Sequence, residues 1–208
     1  AWHVIVHPLS NQHLVTTLGQ TARVEIGIRG GRRQREATVF VSDPSKLRLV
    51  SGPHVHLVPG ATNAVSMTYR AATAGSEALQ VHIVDRHTHE LISAWRLTAT
   101  TNMPRIARSY TLTVPVGRPV RRKLEYTNRW PNQRVFAVTS NAPHILSTRD
   151  PDALALEGSA TGFIGLTVHA VRTPRLEEVL LFVNDEEDVN VETLLVRVKY
   201  GPSAYVGL

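Results

Sequence analysis

The sequence predicts an all-β chain made of two tandem immunoglobulin-like β-sandwiches. Apolar and polar residues alternate in run after run, turn-forming residues separate the runs at short intervals, and the second half repeats the first at a spacing of about 100 residues, the size of one such sandwich. No stretch longer than a turn or two has helical periodicity.

Taken in order, Trp2, Val4 and Val6 alternate with His3, Ile5 and His7, and Val24, Ile26 and Ile28 alternate with Glu25 and Gly27. Strand-like runs follow at 39–41, 55–58, 65–69, 79–84 and 91–97. They are rich in β-branched residues that fit a pleated, half-buried surface. Gly30-Gly31, Asp43-Pro44, Gly52-Pro53, Pro59-Gly60, Ala74-Gly75 and Asp85 punctuate them, each supplying turn chemistry. In the second half Tyr110, Leu112, Val114 and Val116 alternate, and runs at 124–127, 135–139 and 163–168 follow. A closing hairpin joins 179–183, apolar on both faces like a central strand, to 193–200, where Leu194, Val196, Val198 and Tyr200 alternate with Leu195, Arg197 and Lys199. Its tip, 184–190, carries Asp185, Glu186, Glu187 and Asp188.

The two halves can be superposed as a duplication. Val39-Phe40 is set against Val135-Phe136, Pro59-Gly60 against Glu157-Gly158, Tyr69-Arg70-Ala71 against Val168-His169-Ala170, and His82-Ile83-Val84-Asp85 against Phe182-Val183-Asn184-Asp185. The boundary is expected near Asn102-Met103-Pro104, giving domains 1–103 and 104–208.

Composition narrows the function classes. Across 208 residues, 42% are apolar and 19% charged, and no run approaches a bilayer-spanning length. Without cysteine there is no disulfide or thiolate chemistry, and the lack of an Asn-x-Ser/Thr acceptor leans the address towards the cytoplasmic side. The chain opens Ala1-Trp2-His3 with no initiator Met or signal segment, so a piece of a longer protein is expected. The net charge of +6 suits an acidic partner. The clusters Arg29/Arg32/Arg33/Arg35 and Arg118/Arg121/Arg122/Lys123 contain no aromatic residue, which argues against nucleic acid.

Catalytic and metal signatures fail one by one. His54-Val55-His56 and His87-Thr88-His89 have strand spacing that turns both imidazoles to one side, but no third ligand is evident, so they read as surface or turn histidines. In Gly158-Ser159-Ala160-Thr161-Gly162 the serine stands one place too early for a nucleophile elbow. No phosphate-loop glycine spacing occurs. The expectation is a non-enzyme without metal or cofactor.

Two surfaces are left for protein binding. The run Arg121-Arg122-Lys123, with Arg129 and Trp130 after it, combines cations and an aromatic as interface hot spots do. Composition equally allows Trp130 to fold back as a lid on the sandwich, and a basic run is more often a solvated face than a site. The tip Asp185–Asp188 reads as a solvated turn, a calcium-coordinating loop of non-EF-hand spacing, or an acidic patch for a basic partner.

One resemblance runs through nearly the whole chain. Tyr126-Thr127-Asn128 with Pro131, Arg134, Phe136, Ser140, Pro143 and Leu146, then the unbroken stretch 181–192 and Val196-Arg197-Val198-Lys199-Tyr200, resemble the C-terminal end of the nephrocystin-4 family. Trp2, His7, Gly19-Gln20, Arg29-Gly30, Ile83-Val84-Asp85 and Ala94-Trp95 resemble its preceding region. The resemblance implies domains similar to major sperm protein in a non-enzymatic scaffold of the ciliary transition zone and basal body. It further implies nephrocystin-1 and the retinitis pigmentosa GTPase regulator-interacting proteins as partners. The tail 201–208 and the run Arg121-Arg122-Lys123 depart from the family pattern. The rival is a receptor for acidic linear motifs on a basic face, as in sandwiches similar to major sperm protein, or a chaperone-like module that accepts a strand at an open edge.

Overall fold

The computed structural model describes residues 8–149 and 154–201. The chain divides into two compact units, Ala1–Met103 and Pro104–Leu208. Every regular element among the described residues is a strand. The first unit contains β1 (Leu9–Thr17), β2 (Ala22–Arg29), β3 (Arg35–Val41), β4 (Leu47–Leu49), β5 (His54–Leu57), β6 (Thr62–Tyr69), β7 (Gly75–Asp85) and β8 (Leu91–Asn102). The second contains β9 (Ile106–Pro115), β10 (Val120–Thr127), β11 (Arg134–Ser140), β12 (Leu146–Thr148), β13 (Leu154–Leu156), β14 (Thr161–Val168), β15 (Arg175–Asn184) and β16 (Asn190–Gly201).

Both units have the same topology. A five-stranded sheet, β1-β8-β7-β3-β5 in the first and β9-β16-β15-β11-β13 in the second, accompanies a three-stranded sheet, β2-β6-β4 or β10-β14-β12. The leading strand of each unit joins parallel to the last, β1 to β8 and β9 to β16. In the second unit Leu124, Tyr126, Ile164 and Leu166 from the small sheet and Phe136, Val138, Leu181, Val183 and Val196 from the large one form a single core. Each large side chain so buried contributes about 1.5–3 kcal/mol. In the first unit Val24, Ile26, Ile28, Val65, Met67 and Tyr69 face the same way as their counterparts, with Val39, Val81 and Ile83 from the large sheet also buried.

The expected strand at Trp2–Val6 lies outside the described residues. Four strands carry no clear sequence signal. β1 is a polar edge strand, Leu-Ser-Asn-Gln-His-Leu-Val-Thr-Thr, and β4, β12 and β13 have only three residues each. In the closing hairpin, β16 is interior over more of its length than alternation suggests: Glu192 to Val196 are all buried, and exposure alternates only from Arg197. β16 lies between β15 and β9, so it is no edge strand.

The register also corrects the duplication. β6 and β14 superpose at an offset of 99 positions with the same sequence of buried and exposed residues. In the large sheet, the buried positions Ala37 and Val39 of β3 match the buried Phe136 and Val138 of β11 at the same offset, and the pairings Val39–Ile83 and Val138–Val183 then set β7 against β15 one position further along. Val39 therefore corresponds to Val138, three residues beyond the expected Val135. A shift by an odd number reverses the faces of a strand. Val39 is 3% and Phe136 0% exposed, whereas Phe40 is 55% and Val135 39% exposed. Pro59-Gly60 likewise moves by one, onto Gly158-Ser159. Gly60 and Ser159 have φ of 71° and 60°, so one left-handed turn position is filled by glycine in one unit and serine in the other.

Candidate functional site

The acidic tip is a turn that consumes its own carboxylates. Asp185 accepts the N–H groups of Glu187 (3.1 Å) and Val189 (3.0 Å) on one oxygen. Asp188, at φ 59°, accepts Asn184 Nδ2 at 2.6 Å. Glu186 accepts the Val135 N–H at 2.9 Å, and Arg134 lies 3.8 Å from both Asp185 and Glu186. The Val135 N–H, with Arg134 behind it, holds the Glu186 carboxyl below the usual carboxylate range.

The first unit builds a related turn, one residue longer, in which the Asp85 N–H bonds the Glu90 carbonyl where the Asp185 N–H bonds that of Val189. Asp85 accepts the N–H groups of His87 (2.9 Å) and Thr88 (3.0 Å), His89 has φ 59°, and Arg35 stands 3.7 Å from Asp85 as Arg134 does from Asp185. A feature present in both copies belongs to the fold. Of the four tip acids only Glu187 is exposed with no side-chain partner among the described residues. This is the solvated-turn reading of the tip, and of the acidic-patch reading it leaves one carboxylate without a side-chain partner among the described residues.

Arg129 and Trp130 are engaged as well. Trp130 is half-buried against the core, with its ring centroid 5.9 Å from that of Phe136 and the Arg134 guanidinium 4.8 Å above it. It is a lid, which decides between the two alternatives that composition allows. Asn128, fully buried, sets the loop that carries it. Asn128 Nδ2 donates to the carbonyls of Asn132 (2.9 Å), Leu156 (3.1 Å) and Glu157 (3.0 Å), and its Oδ1 accepts the Trp130 N–H at 3.0 Å. Arg129 lies 3.4 Å from Glu192, a 7% exposed carboxylate that Arg108 also reaches at 3.2 Å. Beside them, burial and the nearby Glu192 charge push the Tyr126 hydroxyl up to about 12. Arg129 and Trp130 thus close one end of the sandwich and do not extend the basic run.

Arg121, Arg122 and Lys123 are exposed on β10, an edge strand of its sheet. β10 pairs with β14 so that Lys123 faces Gly165 and Arg121 faces Thr167. On the other side of β14, Arg149 donates its N–H to the Gly165 carbonyl at 2.9 Å. The four cations and Gly165 and Leu166 line an open groove of about 310 Å³. Among the described residues none of the four cations pairs with a carboxylate, and Arg122 Nη1 turns back to the Arg121 carbonyl at 3.1 Å. Phe163, 59% exposed, lies next along β14 with Lys123 Nζ 5.7 Å from its ring. Sequence reasoning missed Arg149, Gly165 and Phe163, because a three-residue strand brings Arg149 across and no local pattern announces it. An aromatic residue does accompany the basic run, contrary to what the linear cluster suggests.

Among the described residues no catalytic or metal constellation assembles. His54 and His56 are exposed and meet Thr38 (3.4 Å) and Glu36 (3.8 Å) in turn, and His87 and His89 are exposed in the Asp85 turn. Among the described residues no group of three His, Asp or Glu side chains could hold a metal ion. Ser159 is a turn residue whose N–H donates to the Trp130 carbonyl at 2.9 Å.

Among solved structures, SSP-19, an MSP-domain protein like family member in Caenorhabditis elegans, aligns at 12% identity over 43% of this chain and 92% of its own, with a TM-score of 0.33. The ASH / PapD-like domain 7 of human CEP192 aligns at 12% identity over 50% of this chain and 95% of its own, with a TM-score of 0.36. Nephrocystin-4 of Homo sapiens is 28% identical over 201 residues, and that of Xenopus laevis 26%. Each alignment covers 96% of this chain and 14% of the relative, so the chain spans about one seventh of their length. The models for NPH4 Ig-like domain 3 and NPH4 Ig-like domain 4 match residues 18–102 and 107–201. With both units accounted for in consecutive order, the chain belongs to the nephrocystin-4 family and carries its third and fourth Ig-like domains.

Proposed function

We propose that this tandem pair is a non-enzymatic protein-interaction module within a scaffold of the ciliary transition zone and basal body, on the cytoplasmic side. Nephrocystin-1 and the retinitis pigmentosa GTPase regulator-interacting proteins are the partners to test. The observation that carries the reading is the outer face of β10, β14 and β12. It exposes Arg121, Lys123 and Arg149 without a counter-carboxylate among the described residues, with Arg122 beside them at the edge of β10, while the acidic tip and the Arg129–Trp130 loop are spent on turns and loop ends. A site for chemistry needs a nucleophile, a base and a charge stabiliser within reach of one another, and the described residues bring no such set together. Membership of the nephrocystin-4 family supports the ciliary address.

The test is proximity labelling in ciliated cells with the full-length parent protein, comparing wild type with Arg121→Glu/Arg122→Glu/Lys123→Glu. The expected result is unchanged abundance with reduced labelling of transition-zone proteins. Equal labelling by both would remove the basic face from the reading, and labelling confined to non-ciliary proteins would remove the ciliary role.

A further inference from the structure

We propose that the groove over Gly165 binds a phosphorylated side chain of an acidic peptide segment, held between Lys123 and Arg149. This rests on the interaction-module reading and specifies its ligand. Of the six described residues that line it, four, Arg121, Arg122, Lys123 and Arg149, are cationic and none is a carboxylate. Glu125, the nearest acid along β10, sits opposite Phe163, outside the lining, and Asp150 lies outside the described residues. Gly165 keeps the floor open, since a Cβ there would come within 3.3 Å of Arg149 Cβ.

The duplicated unit shows that the fold does not require this charge. Pairing of β2 with β6 and of β4 with β6 sets Val24 at the place of Arg122, Glu25 at that of Lys123, Val50 at that of Arg149 and Ser66 at that of Gly165. Val50 donates its N–H to the Ser66 carbonyl as Arg149 does to that of Gly165. On the same scaffold, the first copy thus presents a buried valine, an acid and an exposed valine where the second presents three cations.

A lone carboxylate satisfies about one cation, whereas a phosphate brings nearly two charges and three acceptor oxygens and suits an ammonium and a guanidinium set on either side of one open position. The groove is concave and of side-chain size, with the exposed Phe163 next along β14, which favours a peptide side chain over a bilayer surface. One aromatic residue also gives no successive stacking platforms for single-stranded nucleic acid.

The test is fluorescence anisotropy on the whole chain at physiological salt. The probe is a fluorescein-labelled peptide with one phosphoserine flanked by glutamates, its unphosphorylated twin serving as comparison. The phosphopeptide is expected to bind about tenfold tighter than its twin. Lys123→Glu and Arg149→Glu should each remove that preference, and the milder Lys123→Gln and Arg149→Gln weaken it, with thermal unfolding unchanged. Arg23→Glu, which makes the same charge change at the first unit's counterpart of Arg121, should leave binding within about twofold. Equal affinity for both peptides, equal loss in Arg23→Glu, or displacement of the peptide by anionic vesicles or oligothymidine at lower concentration than by inorganic phosphate would overturn the proposal. If the peptides do not bind while proximity labelling still depends on the basic run, only the phosphate inference fails. If neither depends on it, the interaction face fails too.

Discussion

Replacing Asn128 by Ala should be among the most damaging single polar substitutions in the second unit. The side chain is fully buried and reaches three carbonyls and one N–H. Its loss leaves the buried Leu156 carbonyl without this donor, which costs about 1–3 kcal/mol. The Asn132 and Glu157 carbonyls and the Trp130 N–H are only partly buried and recover water, adding about 0.5 kcal/mol each at the low end for a hydrogen bond. The sum is about 3 kcal/mol. With a urea slope of about 1.5 kcal/mol per molar for a domain of this size, the unfolding midpoint should fall by about 2 M. Trp2→Phe/Trp95→Phe leaves Trp130 as the sole indole, so its fluorescence reports the second unit alone.

Asn63 supplies the internal control. It donates to the carbonyls of Ile28, Val58 and Ala61 and accepts the Val58 N–H, which is the Asn128 arrangement rebuilt from another strand on a half-buried residue, with three of the four bonds exposed. Asn63→Ala should therefore cost about 1 kcal/mol. Asn128→Asp should be worse than Asn128→Ala at pH 7, because an ionised carboxylate would face three carbonyls. Burial raises the folded pKa of the introduced carboxyl, so any stability it restores is present below the unfolded value near 4 and is lost as pH rises through the folded one. Equal losses for Asn63→Ala and Asn128→Ala, or Asn128→Asp more stable than Asn128→Ala at pH 7, would refute the reasoning.

Three further outcomes are expected. Backbone N–H groups of Thr88 and His87, with Arg35 beyond them, hold the Asp85 carboxyl below its usual range, so its contribution is present above about pH 4 and disappears as pH falls through the depressed folded value. Thermal melts between pH 7 and 3 should then show a smaller acid-induced loss for the first unit in Asp85→Asn than in wild type. Arg134→Ala should destabilise the second unit by about 1–2 kcal/mol, since a stacked indole and two partly exposed carboxylates lose their cation, against about 0.5 kcal/mol for Arg35→Ala in the first, measured by urea unfolding. Tyr126→Phe should leave stability unchanged or raise it by about 1 kcal/mol, because the buried hydroxyl makes no hydrogen bond within ordinary distance and angle; a loss above about 2 kcal/mol in the same assay would contradict this.

Legibility in the sequence follows contact order. The strands β2, β6, β7 and β14 alternate strongly because one face meets a core and the other water, and they are readable residue by residue. β1 carries no such contrast: as an edge strand it is held by parallel backbone pairing with β8, which asks little of its side chains. β4, β12 and β13 are too short for a period to show. The duplication was readable in outline and misplaced by three residues at β3 and β11, where the apolar pairs Val39-Phe40 and Val135-Phe136 look alike but point to opposite sides. Arg121, Arg122 and Lys123 were legible as a cluster, but their partner Arg149 was not, since β14 stands between them.

By itself the sequence determined the all-β class, the turn chemistry at Asp85 and Asp185, and the absence of cysteine chemistry, because these depend on residue type and spacing within a few positions. Tertiary structure alone decided which charges are free. Asp185, Glu186 and Asp188 are bound into a turn, Arg129 is drawn to the buried Glu192, and Trp130 is laid over Phe136. Lys123 and Arg149 flank Gly165 without a counter-charge among the described residues. The physical reason is that local preference fixes backbone conformation, whereas the state of a charged side chain depends on neighbours that strand pairing brings from distant positions in the chain.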